Sequence, residues 1–137
     1  MMRLDLAREM WRMRGKMTDK VLNRLKHLTD KEKVAVQRFE TVVRDMLSHN
    51  LILLEVFGSK ARGDYKSESD IDVFVLVKKF SPDVMENIAA ISSEISIERG
   101  ILISAVVLSE SEYNNNRDAN TLFVQEIDKD GIILYAA

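Results

Sequence analysis

The sequence predicts an α/β fold, and three observations carry that expectation. Short apolar runs of strand length, rich in Ile, Val and Leu, occur at 51–57, 71–77, 101–108 and 132–135. Between them lie longer segments whose apolar residues recur at helical spacing. Capping and turn signals fall at the junctions, so the two kinds of element alternate along the chain.

The elements follow in order. From about Leu4 to Leu28 an amphipathic helix is expected, with Leu4, Ala7, Trp11, Val21, Leu25 and Leu28 as its stripe. Arg12, Arg14, Lys16 and Lys20 interrupt that stripe, and Gly15 weakens its middle. Met10, Met13 and Met17 are adaptable packing residues, for a partner or for the chain's own core. Thr29 with Glu32 forms a capping box, followed by Ala35, Phe39, Val42, Val43 and Met46 at helical spacing, and the helix is expected to end near Ser48-His49-Asn50. His49 is then a helix-end histidine and His27 a surface residue of the first helix.

A strand over Leu51–Phe57 leads into Gly58-Ser59, and a second is expected over Ile71–Val77. Ser81 as N-cap, Pro82 at the first helical position and Asp83 in the first turn open a helix running to about Arg99, where Gly100 stops it. A strand Ile101–Leu108 follows, then a second capping box, Ser109 with Glu112. Asn114-Asn115-Asn116 reads as a helix end. A short helix from about Thr121 to Asp128, a turn at Asp130-Gly131 and a strand Ile132–Tyr135 complete the pattern.

At 137 residues the chain suits a domain with a real core. It has no cysteine, which excludes disulfides, zinc-thiolate sites and a cysteine nucleophile. No apolar run approaches transmembrane length, and the N-terminus is charged and amphipathic rather than signal-like. A cytoplasmic protein without a membrane partner is expected. Net charge is −2 but uneven: residues 1–33 hold ten Lys or Arg against five acids, the remainder ten against seventeen. Such a basic face is most often simply solvated, so nucleic acid is disfavoured as a partner.

The chemistry concentrates in Val56-Phe57-Gly58-Ser59-Lys60-Ala61-Arg62-Gly63-Asp64 and Ser69-Asp70-Ile71-Asp72-Val73-Phe74-Val75. A Gly-Ser turn opening a helix offers donors and close backbone approach to a phosphate. Ten residues on, Asp70 and Asp72 stand two apart at the start of a strand, so both carboxylates face the same side. Like charges that close repel; a divalent cation removes that cost, and magnesium takes such oxygen ligands together with phosphate oxygens. Phe74 and Leu76 continue the same side, which confines a polar site to the strand's beginning.

Gly58-Ser59, ten residues, then Asp70-Ile71-Asp72 resembles the signature of the DNA polymerase β-like nucleotidyltransferase superfamily. The fuller string from Gly58 to Tyr65, with Ser69-Asp70-Ile71-Asp72, is similar to its small bacterial and archaeal branch, the minimal nucleotidyltransferases. The resemblance covers roughly residues 34–137, taken as the nucleotidyltransferase domain, with 1–33 as a basic amphipathic helical segment. It implies a small mixed β-sheet with helices packed mainly on one face. It also implies a nucleoside triphosphate substrate, Gly58 and Ser59 as nucleotide contacts, and Asp70 and Asp72 as catalytic ligands of magnesium. Arg62 and Gly63 match the string as further nucleotide-binding positions; for Arg62 a phosphate contact and an ion pair across the loop both stand.

One position departs from the family pattern. The family's third carboxylate lies on the next strand, and Ser104 occupies the aligned position. Glu55, Glu98 and Glu110 lie on or beside strands as candidate substitutes. Two readings follow. The resemblance implies an enzyme that moves a nucleoside monophosphate, AMP from Mg-ATP, to a hydroxyl, with a HEPN-type toxin as one protein acceptor. The alternative is a slow or inactive nucleotide-binding antitoxin or regulatory module.

Overall fold

The computed structural model describes residues 19–64 and 69–137. The expected helical stretch before Asp19, with Met10, Trp11, Met13 and Met17, lies outside the described residues, as does Tyr65. The strands are β1 (Leu51–Phe57), β2 (Ile71–Val77), β3 (Ile103–Ser109) and β4 (Ile132–Ala136), and the sheet order is β3-β2-β1-β4. β1 runs antiparallel to both β2 and β4, whereas β2 and β3 are parallel. The sheet is therefore mixed, as expected.

The helices are α1 (Asp19–Arg24), α2 (Asp30–Leu47), α3 (Gly58–Arg62), α4 (Pro82–Arg99), α5 (Glu110–Asp118) and α6 (Leu122–Asp130). Their ends follow the chemistry read from the sequence. The Thr29 hydroxyl accepts from Glu32 N–H at 3.2 Å while the Glu32 carboxylate accepts from Thr29 N–H at 2.9 Å, satisfying two donors that a helix start leaves open. Ser81 caps α4, Pro82 occupies its first turn, and Gly100 ends it in the left-handed conformation. Ser109 and Glu112 form the second capping box.

Strand alternation sorts the core into two. Leu54, Val56, Ile71, Val73, Val75, Val77, Ile103 and Leu134 face the larger core, into which α1, α2 and α4 pack Val21, Phe39, Val43, Ile88, Ile91 and Ile95. Leu25 and Leu28, between α1 and α2, join the same core. Each such side chain contributes about 1.5–3 kcal/mol relative to exposure. On the other face Leu53, Phe57, Phe74, Leu76 and Ile133 meet Ile127 of α6, with Tyr113 and Phe123 against them. The long helices thus take one face, and the short C-terminal pair covers part of the other.

Three local expectations change. Asn114–Asn116 lie inside α5 rather than at its end: Asn116 Nδ2 donates to Glu112 O at 2.9 Å and its Oδ1 accepts from Thr121 Oγ1 at 3.0 Å, so the polar run is absorbed by the helix and the next cap. β3 begins at Ile103, although Leu102 O still accepts from Ile71 N–H at 3.0 Å. His27 lies past the end of α1, and its ring stands where a side chain on Gly63 would project.

Candidate active site

Each element brings one part of the site to the same end of the sheet. β1 delivers Phe57, whose cross-strand partner on β2 is Asp72. The chain then turns through Gly58, at φ +75°, directly into α3. Phe57 occupies the N-cap position, and its side chain has no oxygen with which to accept from the helix's first amides. That leaves donors of the kind that bind phosphate at a helix start.

Gly58 is required here on two counts. Its φ lies in the region that costs other residues strain. A Cβ at this position would also overlap Asp72 Oδ2. The carboxylate and the glycine backbone are therefore in immediate proximity, a cradle that any side chain would fill.

Asp72 is partly buried on the face shared with Phe74 and Leu76, and Asp70 stands one residue before β2 begins. Burial pushes the Asp72 carboxyl above its ordinary value; the charges of Asp70 and Glu126 add to this, while Arg62 opposes it. These are the electrostatics of a site that favours a cation. Among the described residues no group of three or more His, Cys, Asp or Glu side chains is arranged around one point. Asp70 and Asp72 are the carboxylates there that could hold a divalent cation, whose remaining positions would fall to substrate oxygens and water.

Ser104 of β3 pairs in register with Asp72, so the aligned serine does stand beside the aspartate. It is exposed. The three glutamates read as substitutes are not placed with it. Glu55 shares the face but is wholly buried opposite Phe74. Glu98 belongs to α4, which packs on the other face. Glu110 opens α5, beyond the far end of β3.

Sequence reading passed over Glu126. It lies on α6, whose Phe123 meets Phe57 and Phe74 edge-on at ring separations of 5.5 and 5.1 Å. That packing carries α6 over the site face. Glu126 Oε1 accepts from Arg62 Nη1 at 3.3 Å. The only hint in the sequence was its helical spacing from Asp130, which also pairs with Arg62, at 3.5 Å. Arg62 Nε donates to both Asp64 oxygens at 3.0 and 3.1 Å. Arg62 is thus engaged by Asp64, Glu126 and Asp130, the arrangement of an ion-pair hub between α3 and α6. Gly63 ends α3 at φ +89°, donating to Ser59 O at 2.8 Å with the His27 ring against it.

A mixed sheet of this order, with a Gly-Ser helix start beside a strand-borne Asp-x-Asp, is the architecture of a polymerase β-like nucleotidyltransferase. A model of the nucleotidyltransferase domain matches residues 36–133, and the chain belongs to that family.

A Methanocaldococcus jannaschii protein named "Putative protein adenylyltransferase MJ0141" is 33% identical over 99 residues, spanning 71% of this chain and 92% of that one. Two solved structures share the fold. A chain of a toxin–antitoxin crystal structure with AMP-PNP aligns at TM-score 0.51 and 17% identity, over 80% of this chain and 75% of that one. A chain of the complex of tri-AMPylated Shewanella oneidensis HEPN toxin with MNT antitoxin aligns at 0.50 and 19%, over 77% and 73%. Nucleotidyltransferases of this fold use ATP and divalent metals. Among the described residues, no helix is long and apolar enough to cross a membrane.

Proposed function

We propose that the protein transfers AMP from magnesium-ATP to a hydroxyl of a protein acceptor, of which a HEPN-type toxin is the best candidate. The observation that carries the reading is the closeness of the Gly58 backbone to the Asp72 carboxylate, because it sets a phosphate-binding helix start against the metal-binding position. Gly58 and Ser59 take the outer phosphates, and Asp70 and Asp72 hold the magnesium ion. When bound, magnesium neutralises charge on the phosphate oxygens and on the departing pyrophosphate.

In the reaction the acceptor oxygen attacks the α-phosphorus, the bond between that phosphorus and the β-phosphate oxygen breaks, and pyrophosphate leaves. The hydroxyl proton passes to a site carboxylate or to water. The protein's work is positioning and electrostatics, which dominate phosphoryl transfer. Arg62 and Gly63 serve this site structurally, through the ion pairs and the helix end described above. The named relatives support the acceptor class: one carries the name "Putative protein adenylyltransferase MJ0141", and a solved structure of the same fold holds a tri-AMPylated HEPN toxin.

The Asp72–Ser104 pairing favours a second reading, a nucleotide-binding antitoxin that turns over slowly. One experiment separates the two. The protein is incubated with labelled ATP, magnesium and a HEPN-domain protein. Label on a hydroxyl of the partner, absent from an Asp70→Asn/Asp72→Asn variant, is the expected result. Tight ATP binding and complex formation without transfer would select the second reading.

A further inference from the structure

The short helix that opens on Gly58 has an unusual anchor. Lys60, the residue after Ser59, is 1% exposed, and its Nζ forms an ion pair with Glu32 of α2, which is 8% exposed. Burial works against a charged Glu32, but hydrogen bonds from Lys60 and Thr29 outweigh it and hold the carboxyl below its ordinary value. The same carboxylate completes the capping box by accepting from Thr29 N–H at 2.9 Å. At the C-terminal end of α3, the His27 ring occupies the space that a Cβ on Gly63 would need. The middle and the C-terminal end of a five-residue helix are therefore met by side chains from one short segment, 27–32, just before and at the start of α2.

We propose that Glu32, through Lys60 and supported by His27, is a positioning clamp for the phosphate-binding helix. The catalytic unit then begins before the family match at residue 36. The reasoning is physical. A helix of one turn and a half does not hold its shape alone, because its nucleation cost is never recovered by length. Its placement must come from tertiary contacts. A buried ion pair adds little stability compared with apolar side chains of equal size, but it is directional, and breaking one partner is strongly felt. Here the pair lies one residue from Ser59. Any rotation of α3 that moved Ser59 and its amides would also separate Lys60 from Glu32. Lys60 faces away from solvent into that pair, so its role is exerted through the helix.

The inference rests on the reading of Gly58 and Ser59 as phosphate contacts, and the test separates the two. Full-length Lys60→Met, Glu32→Gln, Lys60→Arg and the double variant Glu32→Gln/Lys60→Met are titrated with magnesium-ATP and with AMP. Leu134→Ala, in the larger core and apart from the site, serves as a control of comparable thermal destabilisation. Hydrogen exchange at the amides of 58–63 is measured in all of them.

The clamp predicts that Lys60→Met and Glu32→Gln each weaken ATP by about tenfold, a modest misplacement on the scale on which positioning acts. The AMP affinity should change less, Lys60→Arg should recover most of the loss, and the double variant should be no worse than either single. Exchange at 58–63 should quicken in the two single variants and not in Leu134→Ala. If Lys60 instead reached the triphosphate itself, Glu32→Gln would release it and ATP would bind as well or better, which overturns the clamp. Equal losses in Leu134→Ala would also overturn it, leaving the pair as ordinary core. If the parent does not bind magnesium-ATP, the nucleotide reading fails. The exchange data then decide the clamp alone: faster exchange at 58–63 supports it and unchanged exchange ends it.

Discussion

The Asp72 carboxylate stands in the space that a side chain on Gly58 would need. That relationship couples the two halves of the candidate site, because a side chain at 58 would displace the Asp72 carboxylate from its place beside the helix start. Gly58→Ala meets two penalties, strain at φ +75° and overlap with Asp72. Backbone strain of this kind costs about 1–3 kcal/mol. The variant is expected to melt earlier and to lose at least tenfold in magnesium-ATP affinity. Combining it with Asp72→Ala removes the overlap but not the strain, so the two stability losses should be less than additive in thermal melts. Full additivity would show that Gly58 and Asp72 do not compete for space.

Removing the aspartate charges should have opposite effects on stability and binding. Asp72 is disfavoured as a carboxylate by burial and by the neighbouring Asp70 and Glu126. Asp70→Asn/Asp72→Asn keeps the side-chain size while relieving that repulsion. The metal-free double variant is expected to be at least as stable as the parent. Its ATP affinity should no longer respond to magnesium, whereas the parent's should rise. Calorimetric titration with and without magnesium checks this, and equal magnesium dependence in both proteins would refute the metal assignment.

Much of this site was legible because its chemistry is local. Phe57 stands opposite Asp72 on the neighbouring strand, so the Gly58 turn and the aspartate, which the motif spacing and the family resemblance together had singled out, come to one end of the sheet. The caps at Thr29, Ser81 and Ser109 were legible for the same reason, since each is a contact over three residues. Contacts made by tertiary packing were not. Glu126 reaches the site only because Phe123 seats α6 on Phe57 and Phe74. Lys60 was only one letter of the motif string, and nothing in the sequence revealed that it would be buried against Glu32, 28 positions earlier. The Asn114–Asn116 run misled because side-chain bonds at Glu112 and Thr121 overrode its turn propensity.

Two glutamates on α2 should impose opposite pH dependences. Glu40 is fully buried, and burial raises its carboxyl above the ordinary 4.5 even though Arg44 and Thr41 favour the charged form. A group whose folded value is raised contributes stability that is present below its unfolded value and lost as pH rises through the folded one. Glu32, held low, does the reverse: its contribution is present above 4.5 and lost as pH falls through its folded value. In urea titrations across the acidic range, Glu40→Gln should flatten the decline on raising pH above 4.5. Glu32→Gln should flatten the decline on lowering pH below it. Identical profiles for the two variants would contradict these assignments.

The register between Asp72 and Ser104 makes the missing acid a direct test of turnover. Ser104 is exposed and lies on the same face as Asp72, so Ser104→Asp places a third carboxylate beside the pair without burying it. The added charge repels Asp70 and Asp72, and the metal-free variant should lose stability. Magnesium-ATP should restore that loss, because a cation turns three mutually repelling groups into ligands. If the third acid can also accept the attacking hydroxyl's proton, transfer to the acceptor should quicken by about 10²–10⁴-fold, the usual range for a positioned general base. Rates of label transfer to the partner, measured beside thermal melts with and without magnesium, check both halves. A variant that is folded and metal-stabilised yet no faster would leave two explanations, and Glu126→Gln in the parent separates them. Loss of the parent's transfer on that change assigns the acid's role to Glu126, whereas a parent with no transfer to lose is the binding module of the second reading.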